Sequence, residues 1–292
     1  MDFMRVTAVA AAFLFTFPLA AQHSIPPEKV VVPENGITLP MADLDGRPLV
    51  NVQINGKGPY PFILDTGADE TVLDEDLKKE LSLDTVNTPA PMPATGTVRI
   101  RTFAIGGATL EGVTIKTLLL HGMFGRADAP RGVLSAASFP GYLLILDYPG
   151  KRILIRQGEL PTADARTRFE YTREQILPNI PIRVAGTEVR MHVDSGSPGA
   201  VTLPTKFLKE VPLVSDPTQI GAARTAYGTF PIWTAEIKGS VELGQYPLDP
   251  KSVNFSDVNP LPGPPTGNLG YQTLKEFVIT LDAKNRRIQF ER

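Results

Sequence analysis

Cysteine is absent from all 292 residues. That excludes disulfides, thiol nucleophiles and cysteine-based metal sites. Histidine is almost as scarce. His23, His121 and His192 are the only three, far apart and with no pair at ligand spacing, so neither a zinc site nor any other metal or cofactor is expected. A large excess of either charge is lacking as well. The formal net charge is -2 with no basic block, which argues against nucleic acid as a partner. Beyond the N-terminus no apolar run reaches the roughly 20 residues that a membrane-spanning helix needs.

Proline and glycine are plentiful instead, at 28 and 25 residues. They punctuate short segments, which favours many strands and turns over long helices. Hydrophobic residues make up 42% and charged residues 21%, ordinary for a soluble globular protein. The length suffices for one large domain or two lobes, each with its own core. The first 21 residues read as an export signal: Arg5, then an apolar stretch from Val6 to Ala21, with Leu19-Ala20-Ala21 ahead of a cut before Gln22. The expected location is therefore the periplasm of a bacterium, or outside the cell, with no stable membrane insertion once the signal is removed.

The most informative stretch is Pro61-Phe62-Ile63-Leu64-Asp65-Thr66-Gly67-Ala68-Asp69-Glu70-Thr71-Val72-Leu73. An apolar run ends in Asp-Thr-Gly. A second copy follows in Met191-His192-Val193-Asp194-Ser195-Gly196-Ser197. Each reads as a buried strand ending in a tight turn that presents one carboxylate, with Gly67 and Gly196 allowing close backbone approach. Two carboxylates brought together can share a proton and activate water. The pattern alone leaves open a pair of unrelated turn aspartates.

The surroundings of the two motifs repeat. Leu49 to Ile54, an Asn55-Gly56 turn and Tyr60 to Leu64 form a hairpin signal leading into Asp65. Ile180 to Val184, Ala185-Gly186 and Val189 to Val193 do the same before Asp194. Gly132-Val133-Leu134-Ser135 matches Gly267-Asn268-Leu269-Gly270, and Leu143 to Asp147 matches Val278 to Asp282, both at an offset of 135 residues. This is an internal duplication of a β-rich unit. A helix or turn is expected over Thr71–Leu81, where Leu73, Leu77 and Leu81 recur every four residues.

These residues resemble the aspartic peptidases. The segment from Ile63 to Leu73 is similar to the active-site segment of the retropepsins. Gly-Val-Leu and Gly-Asn-Leu-Gly resemble the second hallmark of that fold. The resemblance covers roughly 37–156 and 169–292. It implies an all-β, bilobal acid-protease fold with two duplicated barrel-like lobes, short helices, a cleft between the lobes and flap hairpins over it. It also implies peptide or protein substrates, Asp65 and Asp194 as the catalytic dyad, and Thr66 and Ser195 as hydroxyls that bond across the lobes. Asp69 matches a substrate-contacting aspartate of the family. Tyr227 is a candidate flap tyrosine, with flaps over Met92–Arg99 and Ala222–Phe230. The chain departs from the pattern at Ser135, where glycine is usual, at Pro198, opposite Asp69, and at His192, which is read as a satisfied core or interface residue.

The expected organisation is a signal over 1–21, a flexible lead-in over 22–35, lobe 1 over 36–157, a linker over 158–168 and lobe 2 over 169–292, in a monomer. The expected activity is that of an aspartic endopeptidase. Its rivals are a catalytically silent peptide-binding protein on the same scaffold, a carboxylate-pair glycoside hydrolase, and a homodimer of like lobes.

Overall fold

The structure is a computed structural model of the chain and describes residues 26–86, 94–120, 124–125, 128–171, 177–225, 228–250, 252–258 and 266–292. It is mostly β, arranged as two barrel-like units joined by a shared sheet.

In the first half, strand Arg47–Ile54 turns back through Asn55-Gly56 into strand Lys57–Asp65. In the second, Asn179–Val184 turns through Ala185-Gly186 into Thr187–Val193. Both residues of each turn have positive φ, +51° and +79° in the first and +48° and +84° in the second. That is the twist a two-residue hairpin requires. Each aspartate-bearing strand then runs parallel to the second-hallmark strand: Lys57–Asp65 beside Gly132–Ser135, and Thr187–Val193 beside Gly267–Leu269. The first barrel closes because Gly96–Ile105 pairs with both Ala108–Leu118 and Arg47–Ile54. The second half builds a nine-stranded sheet in which the hairpin of Thr218–Thr225 and Gly228–Ala235 packs onto Val253–Phe255.

The halves meet in a six-stranded sheet. Leu143–Asp147 pairs antiparallel with Val278–Asp282, and Ile145 lies opposite Thr280. Those two residues are equivalent under the 135-residue repeat, so a pseudo-two-fold axis passes between them. Arg152–Arg156 and Ile37–Pro40 extend the sheet on one side, Arg287–Glu291 and Arg168–Glu170 on the other. Equivalent aspartates close the flanking turns. Asp147 accepts from the Gly150 N–H at 2.7 Å, and Asp282 from the Asn285 N–H at 3.0 Å. The main apolar core runs through both halves and includes Phe62, Leu64, Leu134, Leu146, Met191, Val193, Leu269 and Ile279.

Two local expectations change. Within the lead-in 22–35, Lys29–Val31 forms a strand on the edge of the first barrel, paired with residues 109–111. The Lys-Val-Val-Val run there has the β propensity to pair despite the neighbouring prolines. The helix expected over Thr71–Leu81 splits into strand Val72–Asp74 and helix Glu75–Leu81, whose N-cap is Asp74. The Asp74 carboxylate faces the Asp76 N–H, and Glu75 and Asp76 complement the helix dipole. Of the first proposed flap, Met92–Arg99, residues 92 and 93 lie outside the described residues, and its later part opens strand Gly96–Ile105.

Candidate active site

The loops that follow the two aspartate strands meet at the junction of the halves. Asp65 and Asp194 are brought together, 1% and 0% exposed. Their side chains lie within hydrogen-bonding reach of each other.

Four hydrogen bonds lock the two turns. The Thr66 hydroxyl donates to the Val193 carbonyl at 2.6 Å, and the Ser195 hydroxyl donates to the Leu64 carbonyl at 2.8 Å. The Thr66 N–H donates to Ser195 Oγ and the Ser195 N–H to Thr66 Oγ1, both at 3.0 Å. Each hydroxyl therefore uses its proton on the opposite strand and its lone pair on the opposite turn. This needs a hydroxyl at both positions, which is why Thr and Ser occupy them.

The glycines are fixed by proximity. A Cβ at Gly67 would lie 2.6 Å from Asp194 Cγ, and one at Gly196 would lie 2.6 Å from Asp65 Cγ. Real Cβ atoms do not approach that closely, so any side chain would push the opposite carboxylate away.

Burial pushes both carboxyl groups above the usual range, and for Asp65 the nearby charge of Asp194 adds to the rise. Opposing contacts differ between the two. Asp65 Oδ1 accepts the N–H of Gly67 at 2.7 Å and of Gly196 at 3.2 Å. Asp194 Oδ2 accepts the Asn268 side-chain amide at 2.6 Å, and the Arg47 cation is close enough to favour its charged form. Asp194 is pushed up only to about 6, and Asp65 stays well above its ordinary value. Charge is thus best held on Asp194 and the proton on Asp65. Asp65 Oδ2 and Asp194 Oδ1 find no other partner, and a shared proton satisfies this need.

Neither Arg47 nor the Asn268 amide stands out in the sequence as part of this site. Arg47, 2% exposed, reaches from the first half and donates Nε–H to the Gly196 carbonyl at 2.8 Å. Its cation also lies 5.8 Å from the Phe124 ring. The available signals are an arginine at the start of an alternating strand, and an asparagine where the first half has Val133.

The remaining candidates fall as follows. Asp69 sits half-buried on the turn that leaves Asp65. Tyr227 lies outside the described residues. Ser135 is accommodated: its hydroxyl donates to the Ala68 carbonyl at 2.7 Å and accepts the Ala137 N–H at 3.1 Å, capping a short 3-10 turn over Ala136–Ser138. His192 is buried, as expected of a core histidine, but it is not satisfied, because Nδ1 has no partner. Burial, with Arg190 nearby, pushes its pKa down to about 4, so the ring is neutral. Among the described residues, no group of three or more His, Asp or Glu side chains is placed to hold a metal ion.

A family model described as aspartyl protease matches the chain twice, over residues 50–134 and 180–273, once in each half. The matches span more than half of the sequence, and the chain belongs to the aspartyl protease family. No curated protein matches it. That family is one of hydrolases of the peptidase class, which implies peptides as the class of substrate.

Proposed function

We propose that the protein is an aspartic endopeptidase whose dyad is Asp65 and Asp194, and that it works as a monomer. The observation that carries this reading is the meeting of two buried carboxylates, one from each half, in a site locked by the reciprocal Thr66 and Ser195 bonds. In this reading Asp194, ionised, removes a proton from a water molecule as the water attacks the scissile carbonyl carbon. Asp65, protonated, donates to the carbonyl oxygen as negative charge develops there. The tetrahedral intermediate then collapses with proton transfer to the leaving nitrogen, and no covalent enzyme intermediate forms. Hydrogen-bonding contact between the carboxyl groups also disfavours glycoside hydrolysis, which needs them about 5–9.5 Å apart.

Asp65→Asn and Asp194→Asn each abolish peptide hydrolysis while the circular dichroism spectrum and melting curve remain those of a folded protein. Wild-type turnover in either variant would remove the mechanism. Light scattering checks the monomer. Export through residues 1–21 belongs to the same proposal and is checked by N-terminal sequencing of protein recovered outside the cytoplasm, where Gln22 is the expected first residue.

A further inference from the structure

Each aspartate-bearing strand has a residue two positions before the aspartate, on the same face of the strand. In the first half this is Ile63. At its level, strand pairing places Leu49 on one side and Val133, then Val72, on the other. Ile63, Val72 and Val133 belong to a small apolar cluster separate from the main core. In the second half the same level reads Asn179, His192, Asn268, Thr202. Their neighbours Ile180, Met191, Val193, Leu269 and Leu203 point into the main core, so these four share the other face.

This polar row is under-satisfied. Asn179 is 0% exposed, and His192 and Asn268 are each 4% exposed. Asn179 Nδ2, His192 Nδ1 and Asn268 Oδ1 nevertheless have no hydrogen-bond partner. Two of the three are held in place by their other atoms. Asn179 Oδ1 accepts Arg190 Nε–H at 2.7 Å, and Asn268 Nδ2 is engaged by Asp194. What remains is a donor at Asn179, an acceptor at Asn268, and a neutral ring nitrogen at His192 that donates or accepts according to tautomer. Buried polar atoms are nearly always partnered in folded proteins, so three orphans at one level beside the dyad point to a ligand. The row continues outward, where Thr202 lies opposite Asn254. Both line a pocket of about 470 Å³ that Ser197 and Ile232 also border.

We propose that the second half carries a polar subsite formed by Asn179, His192 and Asn268, which takes a neutral carboxamide side chain, glutamine or asparagine, beside the bond to be cleaved. A primary carboxamide offers an N–H to Asn268 Oδ1 and its carbonyl oxygen to the donor side of the row, His192 Nδ1–H with the Asn179 amide behind it. A carboxylate would face the charge of the dyad, and an ammonium would leave the Asn179 donor unmet. The opposing subsite at Ile63 and Val133 takes an apolar side chain. The inference rests on the peptidase reading of the site.

The test uses peptides that differ only in carrying Gln, Leu, Glu or Lys at one of the two positions flanking the cleaved bond. Turnover is measured with the wild type, and affinity with Asp65→Asn. The expected result is a kcat/KM at least tenfold higher for Gln than for Leu at one flanking position, with the same order in affinity. Replacing row residues by their first-half counterparts, His192→Ile with Asn179→Leu, should reverse that ratio. Turnover with no Gln preference at either position overturns the subsite and leaves the peptidase reading standing. Selective binding of the Gln peptide without turnover by the wild type overturns the peptidase reading and leaves the subsite standing. Neither selective binding nor turnover overturns both. The wild-type comparison decides even if the double variant does not fold.

Discussion

The Asn268 side-chain amide donates to Asp194 Oδ2 at 2.6 Å, whereas its repeat equivalent, Val133, has no polar group to offer Asp65. A nearly symmetric site is thereby made electrically unequal. Arg47 deepens the inequality, because it favours the ionised form of Asp194 and its counterpart at the matching level of the second half is the apolar Leu177. The two halves supply similar backbones and dissimilar fields.

The pH dependence of activity follows from that difference. The working form carries one proton on the pair. On the acid side the pair must lose its first proton, and burial raises both carboxyl groups, so kcat/KM rises only as the pH climbs above the ordinary carboxylate range. On the alkaline side activity falls as Asp65, raised well above its ordinary value, ionises too. A bell with its acid limb above the ordinary carboxylate range is expected in a fluorogenic peptide assay. Asn268→Val removes a contact that lowers the Asp194 pKa, so the acid limb should move upward. Maximal activity below pH 4 would mean that burial does not raise the pair.

Removing a hydroxyl from the cross-half network should cost stability. Thr66→Ala leaves the buried Ser195 N–H without its acceptor, and Ser195→Ala does the same to Thr66. An unsatisfied buried group costs about 1–3 kcal/mol. Urea unfolding should show a loss in that range for each variant, while Thr66→Ser keeps most of the stability. Equal stability of Thr66→Ala and wild type would mean that the network holds nothing together.

Gly67→Ala and Gly196→Ala should act on catalysis through geometry. Each added methyl meets the opposite carboxylate and forces the pair apart. A displacement of about 1 Å in a catalytic group can cost 10²-fold, so kcat should fall by about that factor. A narrower pH bell should accompany it, because separated carboxylates no longer share a proton: Asp65 loses the neighbouring charge that raises it and Asp194 the hydrogen bond that lowers it.

His192 gives a stability prediction with a definite sign. Its folded pKa is depressed to about 4 from 6.5, so between those values the unfolded chain binds a proton that the folded chain refuses. Its contribution is fully present above pH 6.5 and is lost as the pH falls towards 4. His192→Ile removes this dependence. Its stability relative to wild type should grow as the pH drops through that window, with a slope of at most about 1.4 kcal/mol per pH unit. Denaturant titrations at pH 7.5, 5.5 and 4.5 measure it. A pH-independent difference would mean that the folded and unfolded chains take up the proton equally, so that burial does not depress the ring's pKa.

The two Asp-(Thr/Ser)-Gly turns, the hairpins that feed them and the duplication were legible in the residues alone, because each is written in local patterns: an Asn-Gly or Ala-Gly turn, an alternating strand, a repeated offset. The pairing of Ile145 with Thr280 was not legible, since neither Leu143–Asp147 nor Val278–Asp282 carries a pattern that names a partner. Nor was the level at which Asn179, His192 and Asn268 meet, nor the reach of Arg47 to Gly196. Those depend on register between segments far apart in the chain, where a one-residue slip would turn every side chain to the other face. Local chemistry fixed which residues could react, and only the three-dimensional packing decided which neighbours set their charge.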